Sequence, residues 1–246
     1  MVDRIFSDTT LAELYDLMAP WGEPDDQFYI ELVMAADAVL DVGCGTGLLL
    51  REARRAGHTG WFVGLDPAAA MLDVAHRDRT DIEWICSDLS TVQWTREFDL
   101  VVMTGHAFQV FTEDDQLRSS LAAIRTALTG GGRFAFETRN PSTRAWEAWT
   151  PDRVTEILIP AGGIVHFSRE VDLPVDGDRV SFTATFSSPA WDKPRLSRST
   201  LRFLDAESLG SFLGEAGLEV VEQYGDWDRS PLTSASPEII TIACRA

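Results

Sequence analysis

Three glycines and two strand-end carboxylates are spaced along the first third of the chain so that together they could hold a nucleoside. The glycines Gly43, Gly45 and Gly47 alternate through "VLDVGCGTGLLL", where a short apolar run passes into the helix-like "LLLREARRAG". Lacking a Cβ, such residues permit a tight turn, and a ligand can rest on bare N–H and C=O groups at the positive start of a helix. Asp66 stands 19 residues beyond Gly47 at the end of the next apolar run, where a carboxylate can accept both hydroxyls of a ribose. Asp88 closes the following run, in "CSDLS". It can accept from an exocyclic adenine amine while the Leu89 N–H meets a ring nitrogen, with Pro67 and Met71 against the faces of the base. A single such acid could be no more than a helix cap. Two in succession behind one glycine loop point to a nucleoside.

Bringing these residues to one edge requires a particular succession of elements. Strand "AVLDV", helix "LLLREARRAG", strand "WFVGLD", helix "AAAMLDVAHR" and strand "IEWICSD" come first. Strand "FDLVVMT", helix "DDQLRSSLAAIRTAL" and strand "GRFAFET" follow. Continuous apolar strands between helices predict a doubly wound α/β sheet, mostly parallel and covered on both faces, with its binding sites at the carboxyl ends of the strands. Near Thr150 the period changes to β-branched alternation in "RVTEILIP", "GIVHFSREVDL", "DRVSFTATFSS" and "LSRSTLRFL", which predicts an antiparallel insertion of about four strands. A helix "DAESLGSFLGEAG", capped by Asp205 and ended by Gly217, then precedes two closing strands. The chain therefore divides into an N-terminal segment and core over 1–150, a β appendage over 151–204, and a C-terminal completion of the core sheet over 205–246.

With 39 acidic against 21 basic residues the net charge is −18, which repels phosphate backbones and anionic membranes and makes nucleic acid a poor partner. Cys44, Cys86 and Cys244 are few, distant and odd in number, which fits reduced thiols in a cytoplasmic protein and neither a disulfide framework nor a metal site. No run reaches the ~18 apolar residues of a membrane span, and the first residues lack a signal peptide's apolar core.

The glycine spacing G-x-G-x-G, with Asp41 two residues ahead, departs from the G-x-G-x-x-G of dinucleotide sites. It resembles the D/E-x-G-x-G-x-G motif of class I S-adenosylmethionine-dependent methyltransferases. The resemblance implies a seven-stranded sheet with an antiparallel last strand, a small-molecule substrate, and S-adenosylmethionine as cofactor. It places Asp41, Gly43, Cys44, Gly45 and Gly47 at the methionine part, Asp66 at the ribose, Asp88 and Leu89 at the adenine, with Pro67, Met71 and Thr104 alongside.

Strand four ends in "MTGHAFQVF" and strand five in "FETRNP". These resemble the G-N-S-F and D-H-R-N segments of glycine N-methyltransferase-like enzymes, whose general plan amino-sugar N-methyltransferases share. Carried over, Arg139 becomes an anion clamp beside Asn140, and the tyrosine of "LYDL", Tyr15, covers the site. His106 stands where those enzymes carry Asn, and Pro141 where they carry Tyr. His106 either takes a proton from the acceptor or only positions it, and Glu137 either holds an ammonium group or faces the sheet interior. His58, His76 and His166 read as surface or packing residues. Trp146, Trp149, Trp191 and Trp227 read as filling the appendage, and Arg144, Arg153, Arg169, Arg195 and Arg198 as its solvated face. The appendage also offers a surface for a homodimer. The expected reaction is methyl transfer to the nitrogen of a small amine. O- or C-methylation, a nicotinamide-dependent oxidation and a non-catalytic cofactor-binding role are the alternatives.

Overall fold

A computed structural model describes residues 2–160 and 162–246. Three helices open the chain, α1 (Arg4–Ser7), α2 (Thr9–Met18) and α3 (Pro24–Met34). The core alternates β1 (Ala38–Val42), α4 (Leu48–Arg55), β2 (Trp61–Asp66), α5 (Ala69–Asp78) and β3 (Glu83–Cys86). It continues with β4 (Phe98–Met103), α6 (Asp114–Ala127) and β5 (Leu128–Arg139). The appendage is β6 (Thr155–Leu158), β7 (Ile164–Val171), β8 (Arg179–Ser187) and β9 (Arg195–Arg202), after which α7 (Ala206–Glu215), β10 (Leu218–Tyr224) and β11 (Glu238–Arg245) close the fold.

The main sheet runs β10-β11-β5-β4-β1-β2-β3, and β11 alone is reversed, pairing antiparallel with both neighbours. β1, β2, β4 and β5 are apolar on both faces because helices cover both sides; Val39, Leu40, Val63, Val101 and Phe134 are fully buried. The order reverses between β1 and β4, the place where an open α/β sheet leaves a crevice at its strand ends. α7 follows the expected punctuation: the Asp205 carboxylate accepts from the Ser208 N–H at 2.8 Å, and Gly217 leaves the helix at φ 73°.

The four appendage strands form a separate antiparallel sheet in the order β6-β7-β8-β9. It does not close a core by itself. Its inward residues Ile157, Val165, Phe167 and Phe186 pack with Leu11 and Leu14 of α2, so the N-terminal helices roof the same space. A polar clamp fixes that roof to the glycine loop. The Asp16 carboxylate of α2 receives the Arg51 guanidinium at 2.9 Å and the Thr46 hydroxyl, and Arg51 also meets Asp78 at 2.6 Å. The tryptophans divide differently from expectation. Trp149 and Trp191 pack on the appendage, but Trp227 lies against Phe28 and Tyr29 of α3, because the loop before β11 runs beside the carboxyl end of β5, where Glu238 pairs with Arg139. Among the described residues no helix is long and apolar enough to cross a membrane.

Candidate active site

A cavity of about 1170 Å³ opens at the carboxyl ends of β1 to β4 and continues beneath the appendage. Tyr15, Asp41, Gly43, Cys44, Gly45, Asp66, Pro67, Met71, Asp88, Leu89, Thr104, His106 and Arg139 all line it. Gly47, Glu137 and Asn140 do not.

The loop after β1 holds Gly43, Gly45 and Gly47 at φ 75°, 55° and 73°, the left-handed region that L side chains avoid. A Cβ on Gly45 would come within 3.2 Å of the Met71 methyl. Gly47 is empty for another reason: a Cβ there would stand 2.2 Å from the Trp84 ring, whose indole N–H is tied to the Arg79 carbonyl at 2.9 Å. Gly47 thus serves packing between α4 and β3 and stands outside the cavity lining.

Asp66 is both cap and ligand candidate. Its Oδ2 accepts from Gly45 N–H at 2.8 Å and its Oδ1 from Ala68 N–H at 2.7 Å, which shapes the loop and starts α5. Each carboxylate oxygen keeps a further lone pair for a hydroxyl facing the cavity. Asp88 accepts from Ser90 N–H at 2.8 Å, and the Leu89 N–H makes no hydrogen bond among the described residues. That leaves one donor and one acceptor side by side, as an adenine edge requires. Asp41 is 1 % exposed, and its Oδ1 has no partner. Burial, aided by the charges of Asp66 and Glu137, pushes its carboxyl up to about 8. An orphaned acid of this kind lacks a cation. The ammonium and sulfonium of an adenosyl-methionine fit the donor set.

At the other end, Gly105 and His106 turn the chain at φ 64° and 62°. Glu137 explains how a non-glycine holds that conformation: its carboxylate accepts from the His106 N–H at 2.6 Å and from the Tyr29 hydroxyl. Glu137 is 1 % exposed, so it supports the histidine from behind and has no face toward an ammonium substrate. Asn140 is likewise corrected. Its amide donates to the carbonyls of Thr233 and Ser236 at 3.0 and 2.9 Å and accepts from Ser142 N–H, stitching β5 to the loop before β11.

The partner of His106 is a residue the sequence reading missed. Glu238 contacts Nε2 through both oxygens, at 3.0 and 3.1 Å. Burial, then the Arg139 charge, lowers the imidazole to about 4, and burial raises Glu238 to about 7 against the pull of Arg139. The contact is therefore one proton shared between a neutral ring and a carboxyl group, not an ion pair at neutral pH. Above about 7, Nε2–H donates to the carboxylate and Nδ1 carries the lone pair; below it, Glu238 donates and the tautomer reverses. If His106 accepts a proton at Nδ1, kcat/KM rises with pH through about 7, and Glu238→Gln flattens that limb. A limb unchanged in Glu238→Gln would assign the titration to another group.

Arg139 Nη1 donates to Gln109 Oε1 at 2.9 Å, and burial lowers the guanidinium to about 10. Tyr15 projects from α2 into the cavity, its hydroxyl raised by burial. Arg169, expected on a solvated face, instead lines the cavity beside Trp149. His58 is structural: it bonds the Ala36 carbonyl and the Gly60 N–H and stacks on Phe62.

Residues 39–132 match a family model described as a methyltransferase domain. Over 98% of its length the chain is 25% identical to 98% of the cypemycin N-terminal methyltransferase of Streptomyces sp. In fold it is similar to an S-adenosylmethionine-dependent methyltransferase from Clostridium acetobutylicum, with a TM-score of 0.75, 18% identity, and coverage of 96% of this chain and 98% of that one. It is also similar to a sugar N-methyltransferase from Streptoalloteichus sp, with a TM-score of 0.71, 19% identity, and coverage of 94% and 93%.

Proposed function

We propose that the chain is an S-adenosylmethionine-dependent methyltransferase of the class I fold and that it methylates the nitrogen of a small amine in the space between the glycine loop and the appendage. The observation that carries this reading is one continuous cavity with a nucleoside-type donor set at one end and Tyr15, His106 and Arg139 at the other. Its volume of about 1170 Å³ leaves room for an acceptor beside a cofactor. The relative named as an N-terminal methyltransferase and the structure named as a sugar N-methyltransferase support the same choice of atom.

Bound on the loop, S-adenosylmethionine supplies an electrophilic methyl group. Gly43, Gly45 and the unpaired Asp41 would hold its amino-acid part, Asp66 the ribose, and Asp88 with the Leu89 N–H the base. The protein's remaining task is orientation, worth effective molarities of up to ~10⁵–10⁸ M. The Asp16–Arg51–Thr46 clamp fixes the roof to the loop, and Tyr15 projects from that roof into the cavity. His106, locked by Glu137 and Glu238, presents one ring nitrogen to the acceptor.

A hydroxyl acceptor is the second reading. The His106–Glu238 pair is what an alcohol or phenol needs to lose its proton and an amine free base does not. A screen of amines, amino acids, amino sugars and phenols for transfer of a labelled methyl group separates the two. Turnover of amines alone supports N-transfer, and turnover of phenols alone replaces it.

A further inference from the structure

We propose that the hollow between the N-terminal helices and the appendage sheet receives a flat apolar ring bearing one hydrogen-bonding oxygen, carried by the molecule that accepts the methyl group. The proposal rests on the methyltransferase reading and adds to it the shape of the acceptor beyond the reacting atom. The ring sets such an acceptor apart from a simple amino acid or an amino sugar.

Along β8 the inward residues Phe182, Ala184 and Phe186 are all buried. On β9, Ser199 stands opposite Phe182 and Ser197 opposite Ala184, both buried as well. Small side chains set among phenylalanines leave the inner face of the sheet hollow, and Phe182, Ala184, Ser199 and Leu201 line the large cavity. Ile5 of α1 and Met18 of α2 also line it and pack on the same apolar cluster. The Ile5 N–H donates to the Ser197 hydroxyl at 2.8 Å, which ties α1 to this part of β9. Arg169, the β7 neighbour of Ala184, carries its guanidinium over Phe167 at 5.0 Å and Trp149 at 5.2 Å. Trp149 in turn meets Phe182 edge-on at 4.9 Å, so aromatic rings bound the hollow.

Two observations point to a ligand here. Protein interiors leave few voids larger than a water molecule, yet this apolar cluster opens onto a cavity of about 1170 Å³. The second observation is Ser199. It is 8 % exposed, and its hydroxyl makes no hydrogen bond among the described residues, whereas Ser197 is spent on Ile5. A hydroxyl buried to this degree ordinarily has a partner. One oxygen on an otherwise apolar molecule supplies it, while the faces of a ring meet Phe182 and Trp149 in the offset or edge-on arrangements that aromatic groups favour. The residues that fit the cofactor stand on the loops after β1, β2 and β3, but the hollow is built by β8 and β9, so its occupant belongs to the acceptor.

The test uses the full chain saturated with S-adenosylhomocysteine and the neutral dye N-phenyl-1-naphthylamine, which brightens in apolar surroundings. One equivalent of dye should bind saturably. 2-Naphthol should displace it about fivefold better than 2-methylnaphthalene, the margin of one hydrogen bond, and glycine and glucosamine should leave it in place. Ala184→Leu, which fills the hollow, should weaken the dye about tenfold. Ser199→Ala should keep the dye and erase the preference for the naphthol. Leu158→Ser, at a residue 69 % exposed and outside the cavity, should change nothing. S-adenosylhomocysteine affinity within about twofold of wild type certifies each variant as folded, and if Ala184→Leu fails that check, Ser199→Ala decides. If S-adenosylhomocysteine binds but the dye does not, or glucosamine displaces the dye as well as 2-naphthol does, or the naphthol preference is absent or survives Ser199→Ala, the proposal is overturned. If S-adenosylhomocysteine itself does not bind, the methyltransferase reading falls first.

Discussion

Asp41→Asn is expected to raise the melting temperature of the ligand-free protein at neutral pH while weakening its hold on S-adenosylmethionine. The carboxyl is buried and raised to about 8 in the folded chain. In the unfolded chain it titrates near ~3.9. Between those values folding takes up a proton, so this group's contribution to stability declines as pH rises from about 4 to about 8. At about 1.36 kcal/mol per unit the penalty at pH 7 is on the order of 4 kcal/mol. An amide does not titrate, so the variant should show no such decline. A cationic ligand reverses the balance: ammonium and sulfonium favour the ionised acid, and binding expels its proton. Melting curves at pH 5 and pH 8, with calorimetry in two buffers of different ionisation enthalpy, read both effects. A variant less stable than wild type at pH 8 would mean that the carboxyl is satisfied within the protein.

Gly47→Ala should make the protein unfold more easily. The residue lies at φ 73°, and its added methyl would meet Trp84 at 2.2 Å. The ring has nowhere to go, since it also covers Gly64, where a Cβ would come within 2.4 Å, and is tied to Arg79. Left-handed strain and overpacking together cost roughly 3 kcal/mol or more. Urea unfolding measures this. A loss below about 1 kcal/mol would show that β3 gives way and that the glycine is not required for packing.

The nucleoside end of the site was legible because its determinants are local. Strand, glycine turn and strand-end acid lie close together in sequence, and the parallel topology carries Asp66 and Asp88 to the same edge as Gly43. The other end depends on partners far apart in the chain. Glu238 sits opposite Arg139 in the β5–β11 register, a pairing that the final strand's pattern does not announce, and so the His106–Glu238 contact was missed. Arg169 shares the face of inward-pointing Phe167, two residues earlier on a strand whose other face is wet, and the roof formed by α2 makes that face a cavity wall. Asn140 reads as a site residue only through the likeness of "FETRNP" to D-H-R-N, and Glu137 reads either as an ammonium partner or as facing the sheet interior. The hydrogen bonds of Glu137 to the His106 N–H and the Tyr29 hydroxyl, and of Asn140 to the loop before β11, keep both out of the cavity lining.

The central claim is that the crevice over Gly43, Asp66 and Asp88 is an adenosyl site. Isothermal titration of the purified chain with S-adenosylhomocysteine tests it most directly. One equivalent should bind per chain, and Asp66→Ala should weaken that binding by about tenfold to a hundredfold through lost charge-assisted hydrogen bonds. No saturable heat from the wild-type protein, or an Asp66→Ala variant that binds as tightly, would contradict it.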